Sequence, residues 1–361
     1  MKKLVQAFVV IIIVSFGLIF WINQLNSSEG YSSGNTLTVF NWGDYIDDNL
    51  IEKFEQETGM KVIYETFDSN EAMLTKIQQG GTSYDVAVPS EYTIEKMKKE
   101  GLLLPLDHTK LPNIKYIDSR FIDLPFDPGN KYSIPYFWGT VGIVYHPELL
   151  AAIDKDIELT SWNDLWDPRL KNEILMVDGA REVIGIGLNS LYYSLNDTNR
   201  EHLQEAKAKL DTLTPNIKAI VGDEMKILMA NEEAAIGVVW SGDAADMMWE
   251  NDKLDYVVPE EGSNLWFDNM VIPKTARNVE GAHLFINFML DPENAAQNTD
   301  YVSYSTPNKE ALKFLDEEVV SDERFYPDEA LTEKLEVYED LGKEMLSYYN
   351  DLYLEFKMNK N

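Results

Sequence analysis

From Thr36 onward the apolar positions fall in short blocks whose spacing switches between every second residue and every third or fourth. Leu37 to Trp42 alternates and predicts a first strand. Asp47 or Asp48 can then cap a helix that carries Leu50, Ile51 and Phe54 on one face and ends at Gly59. Lys61 to Phe67 alternates again. Asn70 can cap a second helix with Met73, Leu74 and Ile77, stopped by Gly80 and Gly81, and Asp85 to Val88 predicts a third strand. Ser90 can cap Tyr92 to Glu100, with Gly101 as the stop. After residues 132–150 the pattern restarts: "SWNDLWDP" opens a helix, Ile174 to Val177 and Ala235 to Val239 read as buried strands, and Leu335, Tyr338, Leu341 and Met345 fall at helical spacing. This alternation predicts an α/β fold with a largely parallel sheet.

The stretch before Thr36 behaves differently. Lys2 and Lys3 precede Leu4 to Ile22, nineteen residues without a charge. At about 1.5 Å per residue such a helix crosses most of a bilayer, with its basic flank inside. Residues 1–22 therefore read as a signal anchor or a signal peptide. The absence of an Ala-x-Ala site before "NQLNSS" favours the anchor. Residues 23–35, rich in Ser, Asn and Gly, read as a flexible linker.

Composition narrows the chemistry. The chain has no cysteine, which excludes disulfides, thiolate metal sites and a lipidated N-terminal Cys. The net charge is -31, and residues 36–361 carry 29 basic against 61 acidic groups. Such a surface repels nucleic acid and attracts cations. The four histidines, His108, His146, His202 and His283, show no paired metal spacing. Neither a GxSxG elbow nor a GxxxxGK[ST] phosphate loop is present, so nothing marks the chain as a serine hydrolase or an ATPase. At 361 residues the chain suits one large two-lobed domain or two small ones.

Ligands of open α/β sheets bind beyond the carboxyl ends of the strands. Trp42 and Tyr45 follow the first strand, Ser90 and Tyr92 the third, and Trp240 ends the strand before "SGDAA". Asp178, at the start of "DGAREV", reads as a helix cap, with Glu182 one turn inside facing either a cleft or solvent. Trp266 and Asp268, two apart in an extended segment, share a face. Aromatic and acidic residues thus recur together at strand ends.

From about Leu37 to Lys357 the chain resembles the spermidine/putrescine-binding proteins of polyamine ABC importers. The resemblance is carried by "NWGDY", "YDVAVPSEY", "KYSIPYFWGT", "SWNDLWDP", "DGAREV", "VVWSGDA", "LWFDNMVIP" and "YSTPN", in that order. It implies a type II periplasmic-binding-protein fold, with two α/β lobes closing on a central cleft. The lobes would be residues 36–141 with 267–312, and 142–266 with 313–361. It also implies an aromatic box of Trp42, Tyr45, Trp240, Trp266 and Tyr304, with Ser90 and Tyr92 beside it and Asp44, Glu182 and Asp268 as acids. A polyamine ligand, a membrane permease and a cytoplasmic ATPase would be the partners, in an extracytoplasmic setting, with no cofactor and no enzymatic activity. Two positions depart from the family pattern: Gly179 aligns with an acid, and Tyr338 with a glutamine.

The implied chemistry is coherent. A polyamine alternates ammonium groups with short methylene runs, so its site must alternate carboxylates with flat apolar faces. Two other readings remain open at this stage: a binding protein of the same fold for another ligand, and an anchored glycosidase with paired acids and sugar-stacking rings.

Overall fold

The computed structural model describes residues 35–222 and 224–360. The expected anchor and linker lie outside the described residues. Among those described, no helix is long and apolar enough to cross a membrane.

The strands are β1 (Thr36–Trp42), β2 (Lys61–Phe67), β3 (Val86–Ala87), β4 (Ser133–Tyr145), β5 (Ile174–Val177), β6 (Ile217–Val221), β7 (Ile236–Trp240), β8 (Asp255–Val257) and β9 (Leu265–Val271). They line up as β2-β1-β3-β9-β4-β7-β5-β6, with β8 also on β4. β1 runs parallel to β2 and β3, and β5 parallel to β6 and β7, while β9 and β4 enter antiparallel.

β4 joins the two halves of this sheet. Its first part, Ser133 to Thr140, pairs with β9, and its second, Val141 to Tyr145, pairs with β7. A register shift between Pro135 and Phe137 bends the strand within the first part. Two parallel three-stranded groups, each flanked by helices, are therefore joined through one buried antiparallel ribbon, and the ends of β1, β3, β7 and β9 converge beside it.

Local chemistry explains most boundaries. Asp47 caps the helix Asp48–Thr58 by accepting from Asn49 N, and Gly59 closes it at φ 72 with its N–H on Glu55 O. Asp85 is a buried hub: it accepts from Thr38 N at 2.9 Å and from Arg277 N and Asn278 N, each at 2.8 Å, tying β1 to the start of the helix Val279–Met289. The second helix, Asn70–Gln79, starts one residue earlier than expected, with Ser69 as its cap. "SWNDLWDP" forms a short 3-10 helix, Trp162–Trp166, opened by a capping box between Ser161 and Asp164, and its Pro168 starts a second one, Pro168–Leu170.

Two expectations are corrected. Asp178 does not cap the helix Ala180–Asn189; Gly179 takes that position without a side-chain bond. Asp178 instead accepts from Lys357 Nζ at 2.6 Å and from the Tyr353 hydroxyl, both on the C-terminal helix Gly342–Lys360. Asp178→Ala is therefore expected to lower stability by about 1 kcal/mol or less, since the pair is partly exposed, and to leave ligand affinity within about twofold. Denaturant unfolding and titration of the same variant check both halves. The helical spacing around Tyr338 is also misleading. Glu336 N donates to Ser263 O and Glu336 O accepts from Leu265 N, each at 2.9 Å, so this segment lies extended against the entry to β9 and the helix begins only at Gly342.

Candidate functional site

Asp268 is the centre of the candidate site. It projects from β9, is 6 % exposed, and is held between two hydroxyls. Tyr45 Oη donates to its Oδ2 and Ser90 Oγ to its Oδ1, each at 2.7 Å. Ser90 is placed there by a backbone bridge to Asp268. It occupies the cap position of the helix Glu91–Lys99, yet its hydroxyl makes no cap bond, because it is committed to the carboxylate. Burial pushes the Asp268 carboxyl from 3.8 up to about 6, against the downward pull of the Ser90 and Tyr45 hydrogen bonds.

Aromatic rings enclose this carboxylate. Tyr304 meets Tyr45 edge-on at 5.5 Å and Trp266 at 5.2 Å, and Tyr136 and Phe137 of β4 pack on Tyr45 at 5.7 and 5.2 Å. Burial, then the charges of Asp243 and Asp268, keep the Tyr304 phenol neutral. Two glycines make room for these rings. A Cβ on Gly242 would collide with the Tyr304 ring, and one on Gly139 with Ser241 Oγ and the Trp266 indole. Gly242→Ala is therefore expected to displace Tyr304 and weaken ligand binding by about tenfold, the scale of one lost aromatic contact. Titration of a variant that still unfolds cooperatively measures this.

A second group adjoins the first. Asn70 Nδ2 donates to Ser90 Oγ at 3.0 Å and to Tyr92 Oη at 2.9 Å, and its Oδ1 accepts from Ser90 N at 3.0 Å. The Tyr92 ring meets the Tyr338 ring edge-on at 6.4 Å. Glu182 acts electrostatically on both tyrosines. Although a margin of Glu182 reaches solvent, burial raises its pKa, with the nearby Arg181 charge opposing. Its carboxylate folds back over Gly179, where any larger residue would displace it.

Among the sequence-derived candidates, Tyr45, Ser90, Trp266, Asp268 and Tyr304 are in direct or one-residue contact, and Tyr92 joins them through Asn70. Glu182 belongs to the Tyr92–Tyr338 group. Trp42 is partly buried at the end of β1, its indole N–H on Val88 O at 2.9 Å and its ring on Phe67 at 4.5 Å. Trp240 is partly buried at the end of β7, opposite Val141. Asp44 lies exposed in the following turn with φ 48, a left-handed conformation that aspartate tolerates. Sequence reasoning missed Asn70, Glu91, Gly139 and Gly242. Glu91, Gly139 and Gly242 stood inside quoted motifs, but an acid in the first turn of a helix reads as solvated and a glycine carries no chemistry by itself. A surface depression of about 630 Å³ lined by Asp47, Glu293, Gln297, Asp300, Tyr301 and Phe314 lies apart from this cluster. Among the described residues no set of three His, Asp or Glu side chains comes together to hold a metal ion.

An α/β molecule of this topology, with a buried acid and aromatic rings where its strand ends meet, has the architecture of a bacterial solute-binding protein. The chain belongs to that family: residues 49–327 match the model of the bacterial extracellular solute-binding proteins. It is a binding protein and not an enzyme. Its relatives include the spermidine/putrescine-binding periplasmic protein of Salmonella typhimurium, 38% identical over 338 residues, covering 93% of this chain and 96% of the relative. Among solved structures, a putative spermidine/putrescine ABC transporter from Listeria monocytogenes is 66% identical with a TM-score of 0.85, covering 90% of this chain and 99% of that one. The spermidine/putrescine ABC transporter substrate-binding protein PotD from Streptococcus pneumoniae is 55% identical with a TM-score of 0.82, covering 91% and 100%.

Proposed function

We propose that this protein is the extracytoplasmic substrate-binding component of a polyamine ABC importer, capturing spermidine or putrescine between two lobes and delivering it to a membrane permease driven by a cytoplasmic ATPase. The observation that carries the reading is Asp268, a buried carboxylate ringed by Tyr45, Tyr304 and Trp266, which is the environment an ammonium with adjoining methylenes requires. The chain's 38% identity to a spermidine/putrescine-binding protein supports the same ligand class.

In this reading Asp268 and Glu182 receive ammonium groups from the two lobes, and Tyr45, Ser90 and Tyr92 take up remaining N–H bonds. Trp42, Trp240, Trp266 and Tyr304 flank the methylenes, and Asp44 adds negative charge at the rim. The lobes are residues 36–141 with 267–312, and 142–266 with 313–361, moving about the ribbon of β4 and β9. Residues 1–22 tether the protein to the cell membrane, or are removed as a signal peptide.

A thermal-shift and tryptophan-emission panel tests the ligand class. Polyamines are expected to raise Tm and change emission, because three of the eight tryptophans flank the proposed ligand. A response to hexoses, amino acids or ferric ion with none to polyamines would reassign the ligand within the same fold.

A further inference from the structure

Glu91 stands at the seam between the Asp268 cluster and the Tyr92–Tyr338 group. It lies in the first turn of the helix Glu91–Lys99 and is fully buried. Its Oε2 accepts from Phe267 N at 2.9 Å, gripping β9 between Trp266 and Asp268. Its Oε1 is buried without a partner. Tyr338 is 3 % exposed and its hydroxyl is equally without a partner. The Tyr338 ring is fixed from behind by the Arg181 guanidinium, 4.1 Å from its centroid. Arg181 in turn directs its terminal nitrogens to Glu339 O, Leu195 O and Asn196 Oδ1, so most of its donors are spent on backbone and amide oxygens. Its Nε is the third unpartnered buried atom of the seam.

Buried polar atoms without partners are rare and need a chemical reason. An ammonium has three N–H donors and no acceptor, the complement of a free carboxylate oxygen and a free phenol oxygen whose groups act on each other electrostatically. We propose that Glu91 is a further ligand carboxylate, receiving an ammonium N–H of the bound polyamine on Oε1 while Oε2 stays anchored on β9, with the Tyr338 hydroxyl accepting beside it. The proposal rests on the polyamine reading above and deepens it: three carboxylates from three elements, Asp268, Glu91 and Glu182, then face the ligand.

The surroundings make this contact conditional on charge. The charged groups acting on Glu91 are Asp268 from β9 and Arg181 from the helix Ala180–Asn189, and Glu91 acts in turn on Tyr92 and Tyr338. Burial is the largest influence on its carboxyl, which is pushed up to about 8; the Phe267 N–H and its own backbone N–H pull down, Asp268 pushes up and Arg181 pulls down. At pH 7 the ligand-free carboxyl is mostly protonated, and an arriving ammonium ionises it. Binding therefore releases close to one proton from this group.

Titration calorimetry of the full chain with spermidine at pH 7, in phosphate and in Tris, tests the proposal. Wild type is expected to release about one proton, and Glu91→Gln, which keeps the acceptor for Phe267 N–H, is expected to lose that release and about tenfold or more in affinity. Tyr338→Phe keeps the ring on Arg181 and is expected to lose about threefold to tenfold in affinity even if E91Q fails to fold. Affinities unchanged within twofold in the variants that fold would overturn the proposal and leave Glu91 as a hydrogen-bonded strut beside a buried water. Wild type that binds no polyamine would instead overturn the underlying ligand assignment.

Discussion

Asp268→Asn is expected to weaken polyamine binding by on the order of a hundredfold or more, the scale on which removing one partner of a buried, hydrogen-bonded charge pair acts. Asparagine preserves the shape of the side chain, and the Tyr45 and Ser90 hydroxyls can turn to receive its amide. The loss therefore reports the charge. The same substitution should make the ligand-free protein more resistant to heat at neutral pH. The folded-state carboxyl is raised from 3.8 to about 6, so its stabilising contribution is full below about pH 4 and gone once pH has risen through about 6. At pH 7 the ionised carboxylate costs the fold on the order of 3 kcal/mol, which the variant is spared. A variant that binds a hundredfold worse and melts higher would be the signature of a residue kept for ligand rather than for folding. Equal losses from Asp268→Asn and Asp178→Asn would contradict this, because Asp178 serves the C-terminal helix.

Acidification from pH 7 to pH 5 is expected to weaken binding by about tenfold through Asp268 alone. The ligand ammonium favours the ionised carboxylate, so the complex holds fewer protons than the free protein. With the free carboxyl near 6, about nine-tenths of the sites are protonated at pH 5, and each must give up its proton before pairing. The ammonium groups of the ligand stay charged throughout this range, so the dependence belongs to the protein. Titrations at pH 5, 6, 7 and 8 trace it. Affinity that stays flat between pH 5 and 7 in wild type would mean that Asp268 does not pair with the ligand.

The sequence made some layers of this molecule legible and hid others for physical reasons. The strand and helix alternation through residue 101 was readable because its signals are local: Asp47 and Gly59 bracket a helix by contacts within a few residues. Trp266 and Asp268 were readable as one face because a strand repeats every two residues. What was hidden depends on distant partners. Ser90 has the sequence context of a helix cap, but a carboxylate 178 positions away offers its hydroxyl a stronger, charge-assisted bond. Asp178 likewise looks like a cap until Lys357 and Tyr353 arrive from the C-terminal helix. Tyr338 sits in a helical pattern, yet backbone pairing of Glu336 with Ser263 and Leu265 holds its segment extended.

Glu91 shows the same limit from the functional side. A glutamate in the first turn of a helix is ordinarily a solvated partner of the helix dipole. Only the packing of β9 against that turn buries it, with one oxygen on Phe267 N and the other without a partner. Gly139 and Gly242 were equally silent, since their role is to vacate space for Trp266 and Tyr304.

The central claim is that the Asp268 cluster binds a polyamine, and calorimetric titration of the purified protein with putrescine, cadaverine, spermidine and spermine at pH 7.5 tests it most directly. Saturable one-to-one binding of putrescine or spermidine that disappears in Asp268→Asn is expected. No heat from any of the four at up to about millimolar ligand, a concentration at which even weak specific complexes saturate, would contradict it.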